Sequence, residues 1–472
     1  MTITDHLDVI IIGGGFSGTM IAVNLTHQYQ KRPLNIAVVN RGYPLGRGIA
    51  YSTQDKFHHL NVIAGKMSAF DSLPDHFVDW LSRLDQYKSL NKDLLTKTFL
   101  PRQLYGDYLT SIWEAIKCHE GVCSIEDEVE SLTLSNDLYL VHLHSGKKLY
   151  AKAVVLATGN EVPGNASVEN PSIFKSKQYF KNPWDPHCYK DIDPNSNVLI
   201  IGNGLTMIDT VLGLMENGLK GTIYSLSRNG LEILPHRPAG TVYDDFKKDV
   251  KMPYRLDSLF RDFNRHLKKL RTLGLTAEPL IDSIRPFTQK IWHSLSEKEK
   301  TSFLNHLRHY WGSARHRLPA HIHDKILHYQ VTQKLLVMKG HLISANEESG
   351  SLNAIIHDRR TKSNRKIHIS RIINCIGPES DITKSENTLL RNLYKDGLIE
   401  KNHVGLGICA TPEGNVISAG KIIPGLYAIG NLMKGVLWEC TAVPELRLSA
   451  EIISDSVGNY IQNIKNTKLS CI

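Results

Sequence analysis

The chain has 472 residues and an apolar fraction of 41%, enough for two or three domains with ordinary cores. Lys and Arg outnumber Asp and Glu by 56 to 47, and the excess lies in short runs such as Lys247-Lys248, Lys268-Lys269 and Arg359-Arg360. No nucleic-acid motif accompanies this charge, so it reads as solvated surface plus a site for phosphate-rich cofactors or an acidic substrate.

The first residues carry no cationic segment, and the apolar run Val9–Ile12 is too short for a signal peptide or a membrane span. A cytoplasmic protein without membrane attachment is expected. The seven cysteines (118, 123, 188, 375, 409, 440 and 471) are odd in number and scattered, so reduced thiols are expected. Cys118 and Cys123 have the gap of a redox-active pair, but such a pair follows the second strand of a nucleotide domain, and that region here reads Asn40-Arg41-Gly42-Tyr43-Pro44. His58-His59, His306 with His309 and His321 with His323 lack the further ligands of a zinc motif, so no metal is expected.

In chain order, a strand at Asp8–Ile12, a glycine turn, a helix at Ser17–Gln30 and a strand at Asn35–Val39 form a βαβ unit. Met20, Ile21, Leu25 and Tyr29 supply the helix's apolar face. Gly13 permits the turn, Gly15 lets the backbone approach a pyrophosphate, and Gly18 lets the helix pack closely. The first amides of the helix, around Phe16 and Ser17, then face the phosphates. The second strand ends in Asn40-Arg41, without the carboxylate that normally binds ribose hydroxyls. Asn40 still offers hydrogen bonds, and Arg41 is placed near phosphate or adenine.

From Asp127 to Gly159 the pattern alternates like β-structure and ends in Ala153–Ala157 followed by Thr158-Gly159. A proline-rich connection leads to a second βαβ unit, with a strand at Val198–Ile201, a helix at Leu205–Asn217 and a strand at Thr222–Ser227. Its loop, Gly202-Asn203-Gly204-Leu205-Thr206-Met207, has methionine at the third glycine position, which should push the helix slightly from the strand. Arg228 follows Ser227, and a guanidinium there suits the 2′-phosphate of NADPH, the alternative being a surface arginine at a loop. Residues 244–333 form a polar helical insertion, with Phe260, Phe263, Leu267 and Leu270 at helical spacing. A β-rich stretch at Leu335–His368 leads to Arg371–Gly377, which repeats the pattern of Val154–Gly159, and the chain closes with Gly425–Asn431 and a helix at Pro444–Tyr460. The expected fold is therefore α/β: two Rossmann-like dinucleotide-binding domains, with the second one and its helical insertion (190–345) nested between parts of the first (1–165 and 346–465).

The chain resembles the two-dinucleotide-domain flavoproteins, and within them the bacterial FAD/NAD(P)-binding protein family related to flavin-dependent, N-hydroxylating monooxygenases. The match rests on Gly46-Arg47-Gly48-Ile49-Ala50-Tyr51-Ser52, His59-Leu60-Asn61-Val62 with Gly65-Lys66-Met67-Ser68, Pro101-Arg102, Tyr105–Leu109, Ala157-Thr158-Gly159, Gly202–Asp209, Trp311 with Arg315-His316-Arg317, Asn374–Gly377, and Trp438-Glu439 with Ala442–Arg447. The resemblance implies FAD in the first domain and NAD(P)H in the second, where Arg228 favours NADPH. It implies that Ala157-Thr158-Gly159 marks the crossing between domains and that Gly430-Asn431 meets the ribityl and pyrophosphate region. Arg47, Met67, Arg102 and Val129 join the expected cofactor set. Asn61 is expected at the flavin's reactive edge, Arg47 as a cation there, Trp438 as a pocket wall, and Glu439 as a group orienting substrate or a proton. The alternatives are surface charge for Arg47 and interface packing for Trp438, with Glu439 paired to an arginine such as Arg447. Arg315 and Arg317 bind an anion or lie in a solvated loop.

Flavin chemistry needs no protein nucleophile, so the absence of a triad or metal cluster does not count against an enzyme. The expected activity is an NADPH-consuming FAD monooxygenase that uses O2 on a small polar metabolite, with N-hydroxylation of an amine or amino acid favoured. A reductase that passes electrons on without oxygen insertion, and a non-catalytic nucleotide-binding protein, are the alternatives; a homo-oligomer is left open.

Overall fold

The computed structural model describes residues 6–135, 137–237, 243–348 and 350–469. Its strands are β1 (His6–Ile12), β2 (Ile36–Asn40), β3 (Val122–Glu126), β4 (Val129–Ser135), β5 (Leu138–Leu143), β6 (Lys148–Leu156), β7 (Tyr179–Phe180), β8 (Val198–Ile201), β9 (Ile223–Ser227), β10 (Leu335–Glu348), β11 (Ser351–Asp358), β12 (Ser363–Ile369), β13 (Arg371–Asn374), β14 (Asn415–Ser418) and β15 (Lys421–Ala428). The helices that position the site are α1 (Phe16–Gln28), α2 (Arg102–Ile116), α3 (Leu205–Glu216), α4 (Leu256–Thr272), α5 (Arg308–Arg315), α6 (Ala320–Val331) and α7 (Val443–Leu469).

The chain divides into two compact units, Met1–Glu161 with Ser380–Ile472, and Val162–Glu379. In the first, the sheet runs β14-β15-β6-β1-β2-β3, with β4 and β5 as an antiparallel excursion beside β6. β1 pairs in parallel with both β2 and β6, and its alternate residues serve two cores. Val9 and Ile11 join Met20, Ile21 and Leu25 of α1 on one face. Ile10 and Ile12 join Val154, Leu156 and Leu426 on the other. A strand buried on both faces reads as an unbroken apolar run, which is why Val9–Ile12 stands out in the sequence.

In the second unit the sheet runs β12-β11-β10-β9-β8-β13-β7. β13 lies parallel to β8 just as β6 lies parallel to β1, so the likeness of Arg371–Gly377 to Val154–Gly159 is a repeated structural position. The expected start of the completing part at residue 346 is corrected to 380. β10 turns back antiparallel into β11, and β11 into β12, so this hairpin belongs to the sheet that holds β8. Helices occupy the insertion as expected, but Phe260 of α4 is 48% exposed, while His266 and Leu270 form the buried face.

Among the described residues no cysteine is in a disulfide, and Cys471 lies outside them. No group of three or more metal-ligating side chains occurs among the described residues. No helix among them is long and apolar enough to cross a membrane.

Candidate cofactor and active site

In the first unit, Gly13 has a φ of +107°, and a β-carbon there would lie 2.2 Å from the Ala157 carbonyl oxygen. The turn thus presses against the Ala157-Thr158-Gly159 segment. A β-carbon on Gly18 would meet the Gly13 carbonyl oxygen at 1.9 Å, which explains the third glycine. Gly15 caps α1 without any side-chain hydrogen bond, leaving the first amides of the helix to an outside acceptor. Gly48 packs against Gly15 so closely that a β-carbon on it would stand 3.2 Å from the Gly15 Cα. The matched Gly46-Arg47-Gly48 turn is therefore part of the cradle wall.

Asn40 fastens the loop from the end of β2: its Oδ1 accepts from the Gly14 N–H at 2.9 Å and its Nδ2 donates to the Tyr43 carbonyl at 2.7 Å. Arg41 is 62% exposed and ion-paired with Glu128. Arg47 is committed to α2: Nε donates to Thr110 Oγ1 at 3.0 Å and the guanidinium pairs with Asp107. This gives Arg47 the work of fixing the glycine turn to α2.

The segment carrying Asn61 and Met67 is held along its length. Leu60 N–H donates to the Leu100 carbonyl, Ala64 N–H to that of Thr98, and Arg102 contributes its backbone N–H to His58 and its Nε to the His59 carbonyl at 3.1 Å. Asn61 is half-buried, Met67 is buried and Lys66 is exposed. At the other end, Arg447 of α7 donates to Asp71 Oδ1 at 3.0 Å and to the Ser68 carbonyl at 3.1 Å, so its carboxylate partner is Asp71 and not Glu439. Trp438 is buried, with Lys434 over its ring at 6.0 Å, and Glu439 is half-buried. The Val129 side chain is spent in the core at the start of β4, leaving only its backbone for a ligand.

Two buried polar atoms around the cradle have no partner among the described residues: Thr158 Oγ1 and Asn431 Oδ1. Asn431 lies in the turn Gly430–Met433 after β15, and a β-carbon on Gly430 would be 3.9 Å from Ser17 Oγ at the start of α1. Uncapped helix amides, Ser17, Thr158 and Asn431 thus converge on one place. A pyrophosphate and a polyhydroxyl chain supply the anion and the donors that this set lacks, so the residues present fit FAD.

The second unit repeats the turn. Gly202 has a φ of +119°, and a β-carbon there would lie 2.2 Å from the Cys375 carbonyl oxygen. Gly204 caps α3 without a side-chain hydrogen bond. Here Ser225 Oγ donates to the Gly202 carbonyl and to Asn203 Oδ1, each at 3.1 Å, and Asn203 in turn donates to the Leu231 carbonyl. Thr206 stands in the first turn of α3, its carbonyl accepting from Thr210 Oγ1 at 2.8 Å. Met207 is 3% exposed and lines a small cavity with Asn203, Ile208, Leu318 and Ile326. Arg228, just past β9, reaches His309 Nε2 at 3.3 Å.

Within the Arg315-His316-Arg317 cluster, Arg317 is not a free anion site. Arg317 is buried, donates through both terminal nitrogens to Asp282 at 2.8 Å, and also holds the Glu278 and Ala314 carbonyls. Thiol chemistry is disfavoured where the thiols are buried: burial pushes Cys375 and Cys440 up to about 12. Sequence reasoning missed Arg308 and His309, which meet Arg228 across a separation of some eighty residues that no local pattern encodes.

Residues 10–161 match the family model described as FAD-NAD(P)-binding. That match takes in the first glycine loop and the Ala157-Thr158-Gly159 turn. Over 97% of its length it superposes on all of an ornithine hydroxylase from Pseudomonas aeruginosa, with a TM-score of 0.65 at 15% identity. An ornithine N-hydroxylase from Kutzneria sp. 744 gives 0.65 at 14% identity, covering 96% of this chain and 99% of that one. A thioredoxin reductase from Lactococcus lactis gives 0.54 at 10%, covering 97% and 99%. The fold is that of the two-dinucleotide-domain flavoproteins. A Baeyer-Villiger monooxygenase from Stachybotrys chlorohalonatus is 22% identical over 275 residues, which span 55% of this chain but only 39% of that relative's length.

Proposed function

We propose that the protein is an FAD- and NADPH-dependent monooxygenase that transfers one oxygen atom from O2 to the nitrogen of a small amine or amino acid. The observation that carries this reading is the pair of uncapped glycine-loop helices, one in each unit, with Thr158 and Asn431 left unpartnered around the first. The preference for oxygen insertion over reduction follows the better superposition on the hydroxylases, at 0.65, than on the thioredoxin reductase, at 0.54.

FAD bound in the first unit supplies hydride acceptance from NADPH and oxygen transfer to a nucleophilic nitrogen. The chain's part is to hold and shield. The α1 amides and Ser17 bind the pyrophosphate, and Thr158 and Asn431 take the ribityl hydroxyls. Arg47 and Arg102 fix the Gly46–Gly48 turn and the Asn61–Met67 segment. We assign Asn61 to the hydrogen-bonding edge of the ring, Trp438 to the exclusion of water, and Glu439 to the substrate's ammonium group or its proton.

The test is reduction of the purified flavoprotein by NADPH without oxygen, followed by oxygen with ornithine, lysine or cadaverine as trial amines. One hydroxylated product per NADPH supports the proposal. Electron transfer to a disulfide or quinone with no oxygen consumed would establish the reductase instead, and nucleotide binding with no hydride transfer would reduce the protein to a binding module.

A further inference from the structure

We propose that Arg308 and His309 of the helical insertion join Arg228 in a receptor for a phosphomonoester dianion, the 2′-phosphate that separates NADPH from NADH; this rests on the nucleotide reading of the second glycine loop. Arg228 stands directly after β9, the strand that follows the glycine loop and α3, and Arg308 and His309 open α5. The Arg228 carbonyl accepts from the Arg359 guanidinium at 3.3 Å, which holds the backbone of this position in place.

Among the described residues no carboxylate pairs with Arg228, Arg308 or His309. Two other arginines of the same unit are treated differently: Arg237 pairs with Glu278 at 3.1 Å and Arg317 with Asp282 at 2.8 Å. Cations left together without an acid are mutually unfavourable unless an anion joins them. The charged groups acting on His309 are Arg308, beside it on α5, and Arg228, from the end of β9, and both are cationic.

The Arg228–His309 hydrogen bond requires an unprotonated Nε2 as acceptor, because a guanidinium only donates. Burial, with the two arginines, holds His309 below the usual histidine range, which favours the unprotonated ring that this bond requires. A phosphate oxygen entering between the two side chains reverses this: it accepts from Arg228 and Arg308, and it accepts from His309 once the ring takes up a proton. Binding of the dianion is therefore linked to proton uptake, and affinity strengthens as pH falls until the phosphate itself protonates near pH ~6.

The test is calorimetric titration of the flavin-loaded protein with 2′,5′-ADP and with 5′-AMP at about pH 6.5 and about pH 8.5, a window in which proton uptake reports a ring whose pKa the bound dianion has raised. The wild type is expected to bind 2′,5′-ADP more tightly, and more so at the lower pH. Arg308→Gln should weaken 2′,5′-ADP about tenfold, as for loss of one charge-assisted contact, and leave 5′-AMP unchanged. His309→Gln should remove the proton uptake, while Arg308→Lys should retain most of the affinity, which guards against misfolding as the cause. Equal weakening of both ligands by Arg308→Gln, no weakening, or an unchanged pH slope in His309→Gln overturns the receptor. Wild-type protein that binds both ligands equally also overturns it, yet leaves the nucleotide loop standing. Wild-type protein that binds neither brings down the nucleotide reading and the receptor together.

Discussion

The two glycine loops share one backbone solution and differ in how each is fastened and charged. Both turn through a left-handed glycine pressed on a neighbouring strand end, with closest approaches of 2.2 Å to Ala157 and 2.2 Å to Cys375 for a hypothetical β-carbon. Just past the second strand they part. In the first unit Asn40 turns inward to clasp Gly14, and Arg41 is neutralised by Glu128. In the second unit the clasp moves to Ser225 and Asn203, and Arg228 stays uncompensated beside Arg308 and His309. A neutral strand end suits an adenosine with free ribose hydroxyls, and a cationic one suits an adenosine carrying an extra phosphate. On the proposed reading, a handful of side chains beyond the glycines sets the same fold for two nucleotides.

The strongest way to separate the loops is to close each turn in turn. Gly13→Ala combines a strained φ with a clash into backbone and should destabilise the first unit by roughly 3 kcal/mol or more. Protein purified from this variant is expected to lack flavin absorbance. Gly202→Ala meets the same obstacle at Cys375 but should retain flavin while losing nucleotide binding at the second loop. Flavin content falling equally in both variants would break the assignment of one nucleotide to each loop.

The third loop position gives the next effect. Gly18 has no room for a side chain, whereas Met207 is buried and lines a cavity, so the second helix has adapted to a larger residue. Met207→Gly completes the familiar glycine spacing yet should cost about 3 kcal/mol, from lost burial and from glycine within the first turns of a helix. Chemical denaturation checks this, and a stability gain would show that Met207 is a mere departure from the motif.

Much of this was legible in the sequence because buried parallel strands and glycine turns leave local marks. Val9–Ile12 and Val198–Ile201 are apolar throughout since both faces are covered, and Gly13, Gly18 and Gly202 each have a steric reason in the backbone packed against them. The ownership of β11–β13 was not legible, because an antiparallel hairpin carries no sign of which sheet it extends. The partners of Arg47, Arg317 and Arg228 were equally hidden: whether an arginine waits for a ligand depends on whether a distant carboxylate has already taken it. Asp107 and Asp282 take the first two, and among the described residues no acid takes the third.

A smaller effect belongs to the clasp. Asn40→Ala removes the acceptor for Gly14 N–H and the donor to Tyr43, and should weaken FAD by about 1–2 kcal/mol, near tenfold. Asn40→Asp keeps the acceptor and should lose less. Flavin dissociation followed by fluorescence distinguishes the two; identical losses would mean that the Gly14 contact does not preorganise the cradle.

The two arginines after the second strands give the finest comparison, since they occupy equivalent places in equivalent units. Arg228→Ala should raise the KM for NADPH about tenfold and leave that for NADH nearly unchanged, because only NADPH presents the extra phosphate. Arg41→Gln breaks only an exposed pair with Glu128, and such pairs contribute about 0–1 kcal/mol. Its flavin affinity and its KM values should therefore match those of the wild type within roughly twofold. A loss of flavin on Arg41→Gln comparable to the NADPH loss on Arg228→Ala would show that Arg41 leaves Glu128 to bind the nucleotide, and the charge contrast between the two strand ends would then collapse.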